Sequence, residues 1–600
     1  MSAVLEIKEL SVTLKRGGKD VSILDRLNLS IAPGEMKALV GESGSGKTIA
    51  ALAVMRLLPP GAQIHGEMLL NGENLALADE GRMREVRGKS VGMVFQNPLA
   101  ALNPSRTIAA QIGEAWRVHQ GGSKAQAYAR ALELLNEVGI PDAKNRLDDY
   151  PHQFSGGMRQ RVMIATALAC SPKLLIADEP TTGLDPLIAQ QIMALIARLR
   201  RERDMAVLFV THDLSVVQEH ADSIHVLYAG RSVEWGRAGA FFQHPRHPYS
   251  EALLGSVARL GQARLQNIPG NLPEPESRPQ GCRFAPRCAY AQDACSEAYP
   301  PADQQGGTEA ACLYPLPLTE KPAFAETLSP RPARNFAPLL DVNDLTVRYR
   351  GAGGWFGGAR KLAPSLADVT LALGRGECLG IVGESGSGKS SLGRAVLQMI
   401  GYEGHVSLNG HDFHAMAGRS KRDLRRKIQV VFQDPRESMN PRMTIGEVIG
   451  EPLRLKGGLS ASAMRARVQE LLGQVGLNPE MAARYPGDVS GGQAQRIAIA
   501  RALAAEPEMI VLDEPTSALD VSTQAMLLNL LKDLSFRHAL SYILISHDFA
   551  VVSYMSDRIA VLNAGRIVEM NETAALISSP RDAYTKALIG AAPQLQPMQA

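Results

Sequence analysis

Two stretches 342 residues apart are nearly identical: GESGSGKT at 41–48 and GESGSGKS at 383–390. Three further pairs follow in the same order. SGG at 155–157 returns at 490–492, DEPTTGLD at 178–185 returns as DEPTSALD at 513–520, and THD at 211–213 returns as SHD at 546–548. From the SGG serine to the DEP aspartate is 23 residues in both (155→178, 490→513), and from that aspartate to the histidine is 34 in both (178→212, 513→547). Elsewhere the spacing drifts: Lys47 to Gln96 is 49 residues, Lys389 to Gln433 is 44. Strict spacing around the polar motifs with drift between them marks a tandem duplication, and each half has to fold to the same plan.

Within each half, short apolar runs alternate with helical patterns. MKALVG (36–41) leads into the glycine loop and then TIAALAVMRLL; KLLIAD (173–178) and AVLFVTHD (206–213) read as buried strands ending in polar residues. Strand–loop–helix alternation predicts an α/β fold with a largely parallel sheet and ligands at the carboxyl ends of its strands. Residues 97–153 and 434–488 lack this rhythm and predict a helical insertion. Between the halves, 13 of the 36 prolines fall within 269–338, which predicts a linker carrying a small, locally held module. The expected division is 1–265, 266–336 and 337–600.

The two glycine loops match G-x-x-x-x-G-K-[ST]. Gly41, Gly44 and Gly46, with Gly383, Gly386 and Gly388, let backbone N–H groups turn onto phosphate oxygens at a helix N-terminus, beside Ser43, Ser45, Ser385 and Ser387. Lys47 and Lys389 are placed to reach the β- and γ-phosphates, and Thr48 and Ser390 to ligate Mg²⁺. Asp178 and Asp513, at strand ends, suit Mg²⁺ held through water. Glu179 and Glu514 are the candidates to accept a proton from attacking water, and His212 and His547 to position the γ-phosphate or that water.

With these residues in hand, the chain resembles the ATP-binding cassette family over nearly all of both halves, as a tandem P-loop ATPase. FSGGM (154–158) and VSGGQ (489–493) are similar to its signature loop, carried by Ser155, Gly156 and Gly157 and by Ser490, Gly491 and Gly492. Gln96 and Gln433 resemble its Q-loop glutamines, which also face Mg²⁺, and Asp185 and Asp520 its D-loop aspartates. The resemblance implies an intramolecular pseudo-dimer packed head to tail, each ATP lying between the Walker motifs of one half and the signature loop of the other. Met158 departs from the usual glutamine. The family's adenine-stacking aromatic corresponds to Tyr349 in the second half but to Leu14 in the first; GGWFGG (353–358) reads as an exposed loop.

HPYSEALL (247–254), IPGNLPEPES (268–277) and GCRFAPRC (281–288) resemble the C-terminal extension of oligopeptide, dipeptide and nickel importer ATPases, with an echo in AYTKALI (583–589). Fusion of two ATPases in one chain resembles the Yej-type peptide importers and the glutathione importers. This implies two integral-membrane permease subunits and a periplasmic or extracellular substrate-binding protein as partners, at the cytoplasmic face of the bacterial inner membrane, with short peptides favoured over nickel or glutathione as cargo. Cys282, Cys288, Cys295 and Cys312 offer four soft thiolates in one locality, suiting Zn²⁺ or an iron–sulfur cluster. The resemblance favours [4Fe–4S], with Zn²⁺ and plain free thiols as alternatives. Cys170 and Cys378 read as core. Trp116 reads either as lining a permease-docking groove or as packing the insertion.

Composition removes other classes. No apolar run approaches the ~18 residues that span a bilayer, and MSAVLEIKEL has no secretory pattern. A net charge of +3 argues against nucleic acid as a partner. A Pro- and Cys-rich linker is unlike the long charged helical linker of ribosome-acting cassette pairs. An exporter ATPase differs only in lacking the extension.

Overall fold

The computed structural model describes residues 3–260, 262, 264–318, 336–349, 364–517, 519–592 and 595; the GGWFGG stretch lies outside them. Each half carries a central sheet whose parallel strands run in the same spatial order. In the first half these are Val91–Val94, Leu174–Asp178, Ala206–Val210, Met36–Val40 and Ser223–Tyr228, closed by antiparallel Arg231–Arg237. In the second they are Ile428–Val431, Met509–Asp513, Ser541–Ile545, Cys378–Val382 and Arg558–Asn563, closed by antiparallel Arg566–Glu572. Helices cover both faces, so strands such as Leu174–Asp178 and Ala206–Val210 are buried throughout and read as continuous apolar runs. The α/β expectation holds.

Alternation in the sequence did not disclose a second sheet in each half. It is four-stranded and antiparallel, built from Leu5–Arg16, Lys19–Ile31, Gln63–Leu70 and Glu73–Asn74, and again from Pro338–Val347, Leu366–Gly374, Glu403–Leu408 and His411–Asp412. The helical insertions are present: Ile108–Gln120 and Lys124–Glu137, matched by Ile445–Lys456 and Ala461–Gln474. Trp116 is half-buried against the first core, and its ring lies so close to Gly122 that a Cβ there would sit 2.2 Å from it. The packing reading of Trp116 thus has contacts behind it.

The described part of the Pro- and Cys-rich stretch, up to residue 318, is docked on the first half. The hairpin Ala302–Gln305 and Thr308–Ala311 adds two strands to the edge of the first sheet by pairing with Arg231–Arg237, which makes eight strands where the second half has six. Buried Glu234 anchors the corner, accepting the backbone N–H groups of Arg246 and His247 at 3.0 and 2.9 Å. Cys282, Phe284 and Cys295 belong to the first half's core.

Just before this module the chain touches the other half. Ala258 and Leu265 sit in the second core, and buried Asn529 donates to the Leu265 carbonyl (2.9 Å) and to Asn267 Oδ1 (2.6 Å) while accepting from Tyr554. Asn529→Ala removes these bonds from a buried junction. It is expected to cost about 1–3 kcal/mol, read as a lower midpoint in thermal or urea unfolding of the full chain.

Candidate functional site

The glycine loops follow the strands Met36–Val40 and Cys378–Val382 and open the helices Lys47–Val54 and Lys389–Val396. Each helix is capped by a glycine in the left-handed region, Gly46 and Gly388, both at φ 106°. Lys47 Nζ donates to the carbonyls of Gly41 (2.7 Å) and Glu42 (3.0 Å), and Lys389 Nζ to those of Gly383 and Glu384 (both 2.7 Å). Each lysine thus stiffens the ring of amides around it. Burial pulls both ammonium pKa values down, partly offset by carboxylates that include Asp520 for Lys47 and Asp185 for Lys389, each from the opposite half. The hydroxyls of Ser45 and Ser387 are buried behind the loops, off the cavity wall, and have no hydrogen-bond partner among the described residues.

Thr48 Oγ1 lies 3.3 Å from Asp178 Oδ1, and Ser390 Oγ 3.5 Å from Asp513 Oδ1, at the end of the neighbouring strand but one. Burial and adjacent Glu179 push Asp178 up to about 6; Asp513 moves up for the same reasons. A carboxylate so crowded is stabilised by a divalent cation, and the hydroxyl–carboxylate pair fits the oxygen ligands Mg²⁺ prefers.

Glu179 accepts from Gln96 Nε2 (2.8 Å) and Thr182 Oγ1 (2.9 Å), and its other oxygen lies 3.2 Å from His212 Nδ1. Burial opposes its charged form, but His212 and Lys47 prevail and hold it down at about 2, while His212 is raised in turn. Glu514 and His547 repeat the pair at 3.3 Å with shifts of the same sign. Both glutamates sit at φ 47°, an uncommon conformation for a side-chain-bearing residue and repeated at the same position of each copy.

The other motif residues sit at helix starts. Ser155 caps Gly156–Ala167 and Ser490 caps Gly491–Ala504; Asp185 and Asp520 cap the helices Pro186–Arg203 and Val521–His538. Gly157 and Gly492 pack so tightly on Ile188 and Thr523 that a Cβ would lie 2.5 and 2.4 Å from them. One cavity of about 780 Å³ joins the two halves. Its wall includes Ser43, Lys47, Gln96, Glu179 and His212 with Gly491 from the opposite half, and Lys389, Gln433, Glu514 and His547 with Leu184 and Asp185 from the first. Ser155, Gly156 and Gly157 are not on that wall; Leu184 lies between. Tyr349 donates to or accepts from Ser391, which is on the wall, at 3.0 Å, whereas Leu14 packs into the first core.

Two residues went unnoticed in the sequence. Gln160 and Gln495 lie five positions beyond Ser155 and Ser490, both are 2% exposed, both have an amide nitrogen without a partner, and Gln495 faces the cavity. Their identical offset in the two copies was the available signal.

Paired glycine loops on buried lysines, each facing an ionised glutamate and the opposite half, define a double P-loop nucleoside triphosphatase. The family model for ABC transporters matches residues 24–182 and 366–517, and that for the oligopeptide/dipeptide transporter C-terminal region matches 233–295 and 568–600. The chain belongs to the ABC transporter family and is a transport ATPase. It is 43% identical over 615 residues to the oligopeptide transport ATP-binding protein OppD of Mycobacterium tuberculosis, covering 100% of this chain and 99% of that one. It is 40% identical over 603 residues to the glutathione import ATP-binding proteins GsiA of Salmonella typhimurium and Escherichia coli, covering 99% of this chain and 90% of each.

A Cβ on Gly41 would sit 2.1 Å from the Leu227 carbonyl, and one on Gly383 2.2 Å from that of Leu562. Because backbone cannot swing aside, Gly41→Ala and Gly383→Ala are each expected to abolish nucleotide binding at the loop they alter. Equilibrium titration with a fluorescent ATP analogue should fall from two sites to one.

Proposed function

We propose that this chain is the ATP-hydrolysing subunit of an importer that takes up short peptides through two permease subunits, supplied by an external binding protein. It would act at the cytoplasmic face of the bacterial inner membrane; no helix among the described residues is long and apolar enough to cross a bilayer. The observation that carries the reading is the docked extension after the first cassette, matched to the oligopeptide/dipeptide transporter region. The full-length likeness to OppD supports peptide cargo, and the likeness to GsiA supports glutathione, itself a tripeptide, as the second reading.

In this mechanism, ATP lies across the head-to-tail interface. Lys47, Lys389 and the loop amides bind the β- and γ-phosphates, while Ser490–Gly492 and Ser155–Gly157 close on the γ-phosphate from the opposite half. Thr48, Asp178 and Gln96, with Ser390, Asp513 and Gln433, would hold Mg²⁺, which neutralises charge on the phosphates. Glu179 and Glu514 are ionised at neutral pH and accept the proton of the attacking water; His212 and His547 hold those carboxylates in place. Gln96 bonds Glu179 and precedes the helical insertion, so movement at the γ-phosphate reaches the helices that would meet the permeases. Both sites carry the full set, so Glu179→Gln and Glu514→Gln should each slow the altered site by about 10²-fold or more, on the order expected for losing a general base, and bring total ATPase turnover to about half of wild type or less. Equal turnover in either single variant would refute two working sites. The double variant, recovered from detergent-solubilised membranes with ATP, should bring two multi-spanning permeases; ribosomal proteins instead would refute import.

We also infer that the four clustered cysteines hold a [4Fe–4S] cluster, with Zn²⁺ as the alternative. Cys282, Cys288, Cys295 and Cys312 line one small apolar cavity. Backbone N–H groups of Phe284 and Ala285, Tyr290 and Tyr314 point at the sulfurs of Cys282, Cys288 and Cys312, which favours thiolates, although burial pushes all three thiols up, Cys312 to about 11. The donor chemistry fits a soft metal centre, while no three His, Cys, Asp or Glu side chains among the described residues are arranged as a coordination shell. When bound, the centre would cross-link the module. Anaerobically purified protein should contain iron and sulfide rather than zinc, and Cys282→Ser/Cys295→Ser should lose both.

A further inference from the structure

The two glycine loops have the same sequence up to the final residue, yet their second residues, Glu42 and Glu384, live in different surroundings. Glu42 is 4% exposed and forms a two-pronged ion pair with Arg287, Nη1 to Oε2 at 2.7 Å and Nη2 to Oε1 at 3.1 Å. Arg287 is held on every side: Nε donates to the Pro269 carbonyl (2.7 Å) and Nη1 also to Tyr228 OH (3.1 Å). It immediately precedes Cys288, in the short turn Ala285–Arg287. Whatever fixes Cys282 and Cys288 therefore fixes this guanidinium.

Glu42 in turn links three parts of the first ATP site. Its carbonyl accepts from Lys47 Nζ. Its N–H donates to Tyr249 OH (2.9 Å), from the HPYSEALL segment. Its carboxylate shares the Ser522 hydroxyl with Asp520 of the opposite half, whose other oxygen lies 3.4 Å from the Ser43 N–H. In the second loop the lysine and tyrosine bonds recur, Lys389 Nζ donating to the Glu384 carbonyl (2.7 Å) and Glu384 N–H to Tyr584 OH (2.8 Å), but the carboxylate's partners do not. Among the described residues the Glu384 carboxylate has no ion pair or hydrogen bond, Leu187 stands where Ser522 does, and residues 582–600 contain no arginine.

We propose that Arg287 is a positioning residue for the first ATP site alone, by which the cysteine module holds Glu42, and through it Lys47 and the facing Asp520–Ser522 turn, in nucleotide-binding geometry. The second site has no such tie, so the two sites respond differently to the state of the module. A buried carboxylate stripped of its partner must take a proton or draw in water, and either change shifts the loop that carries Lys47.

The proposal rests on the loops being ATP sites, so the control comes first. The full chain carrying Glu179→Gln/Glu514→Gln should bind MgATP at two sites; failure there would overturn the nucleotide reading itself. Adding Lys389→Ala leaves the first site to be titrated, and adding Lys47→Ala leaves the second. Arg287→Gln should weaken MgATP about tenfold in the Lys389→Ala background, in keeping with loss of one partner of a buried pair. It should change affinity less than about twofold in the Lys47→Ala background, since among the described residues neither Arg287 nor Glu42 bonds to the second glycine loop. Glu42→Gln added to Arg287→Gln should recover part of the loss by removing the stranded charge, a rescue that mere damage to the module's folding would not show. Equal loss at both sites, no loss at the first, or no recovery with Glu42→Gln would overturn the proposal.

Discussion

Two ammonium groups buried among backbone amides set the terms for this structure. Lys47 and Lys389 are each 6% exposed, and an ammonium taken from water needs negative charge close by. The carboxylates of their own halves supply part of it, Glu179 and Asp178 for one lysine, Glu514 and Asp513 for the other. The remainder comes from across the interface, from Asp520 and Asp185. Each half therefore completes the electrostatics of its partner's loop, and the same aspartates cap the helices Val521–His538 and Pro186–Arg203 that form the contact. Head-to-tail packing follows from that exchange, and the shared cavity follows from the packing.

On this symmetric frame the first half carries an addition that the second lacks. The cysteine module extends the first sheet by two strands, shares its core and delivers Arg287 to the glycine loop. Breaking such a buried pair by removing one partner typically costs about 3–5 kcal/mol, so the module is part of the first ATP site's stability as well as an appendage to it. The segment between, with Leu265 in the second core and Ile268 in the first, ties the halves together before the module begins. The protein thus has two chemically matched candidate sites in unequal settings.

Much of the candidate site was legible because the duplication supplied an internal control. Glu179 and His212 stood out through recurrence at matched spacing, whereas Gln96 and Gln433, whose spacing drifts, came through the family resemblance. The same reasoning passed over Gln160 and Gln495, because glutamine within a helix carries no signal until its orphaned amide is seen. Proline density points to a linker with a small, locally held module but says nothing of the sheet edge that module joins. The antiparallel sheets were missed for a related reason: strands such as Leu5–Arg16 mix buried and exposed positions, and their pairing partners are distant in the chain.

The sequence alone determined the two α/β halves, their glycine loops and acidic strand ends, because these depend on local geometry: a turn only glycine can make, a buried strand that must be apolar, a helix start that faces phosphate. Tertiary structure alone decided where the cysteine module lies, and that Glu42 and Glu384, identical in local sequence, are paired in one case and unpaired among the described residues in the other. Those outcomes depend on charges brought together from positions as far apart as Glu42, Arg287 and Ser522, and burial strengthens such interactions in ways no local pattern of residues encodes.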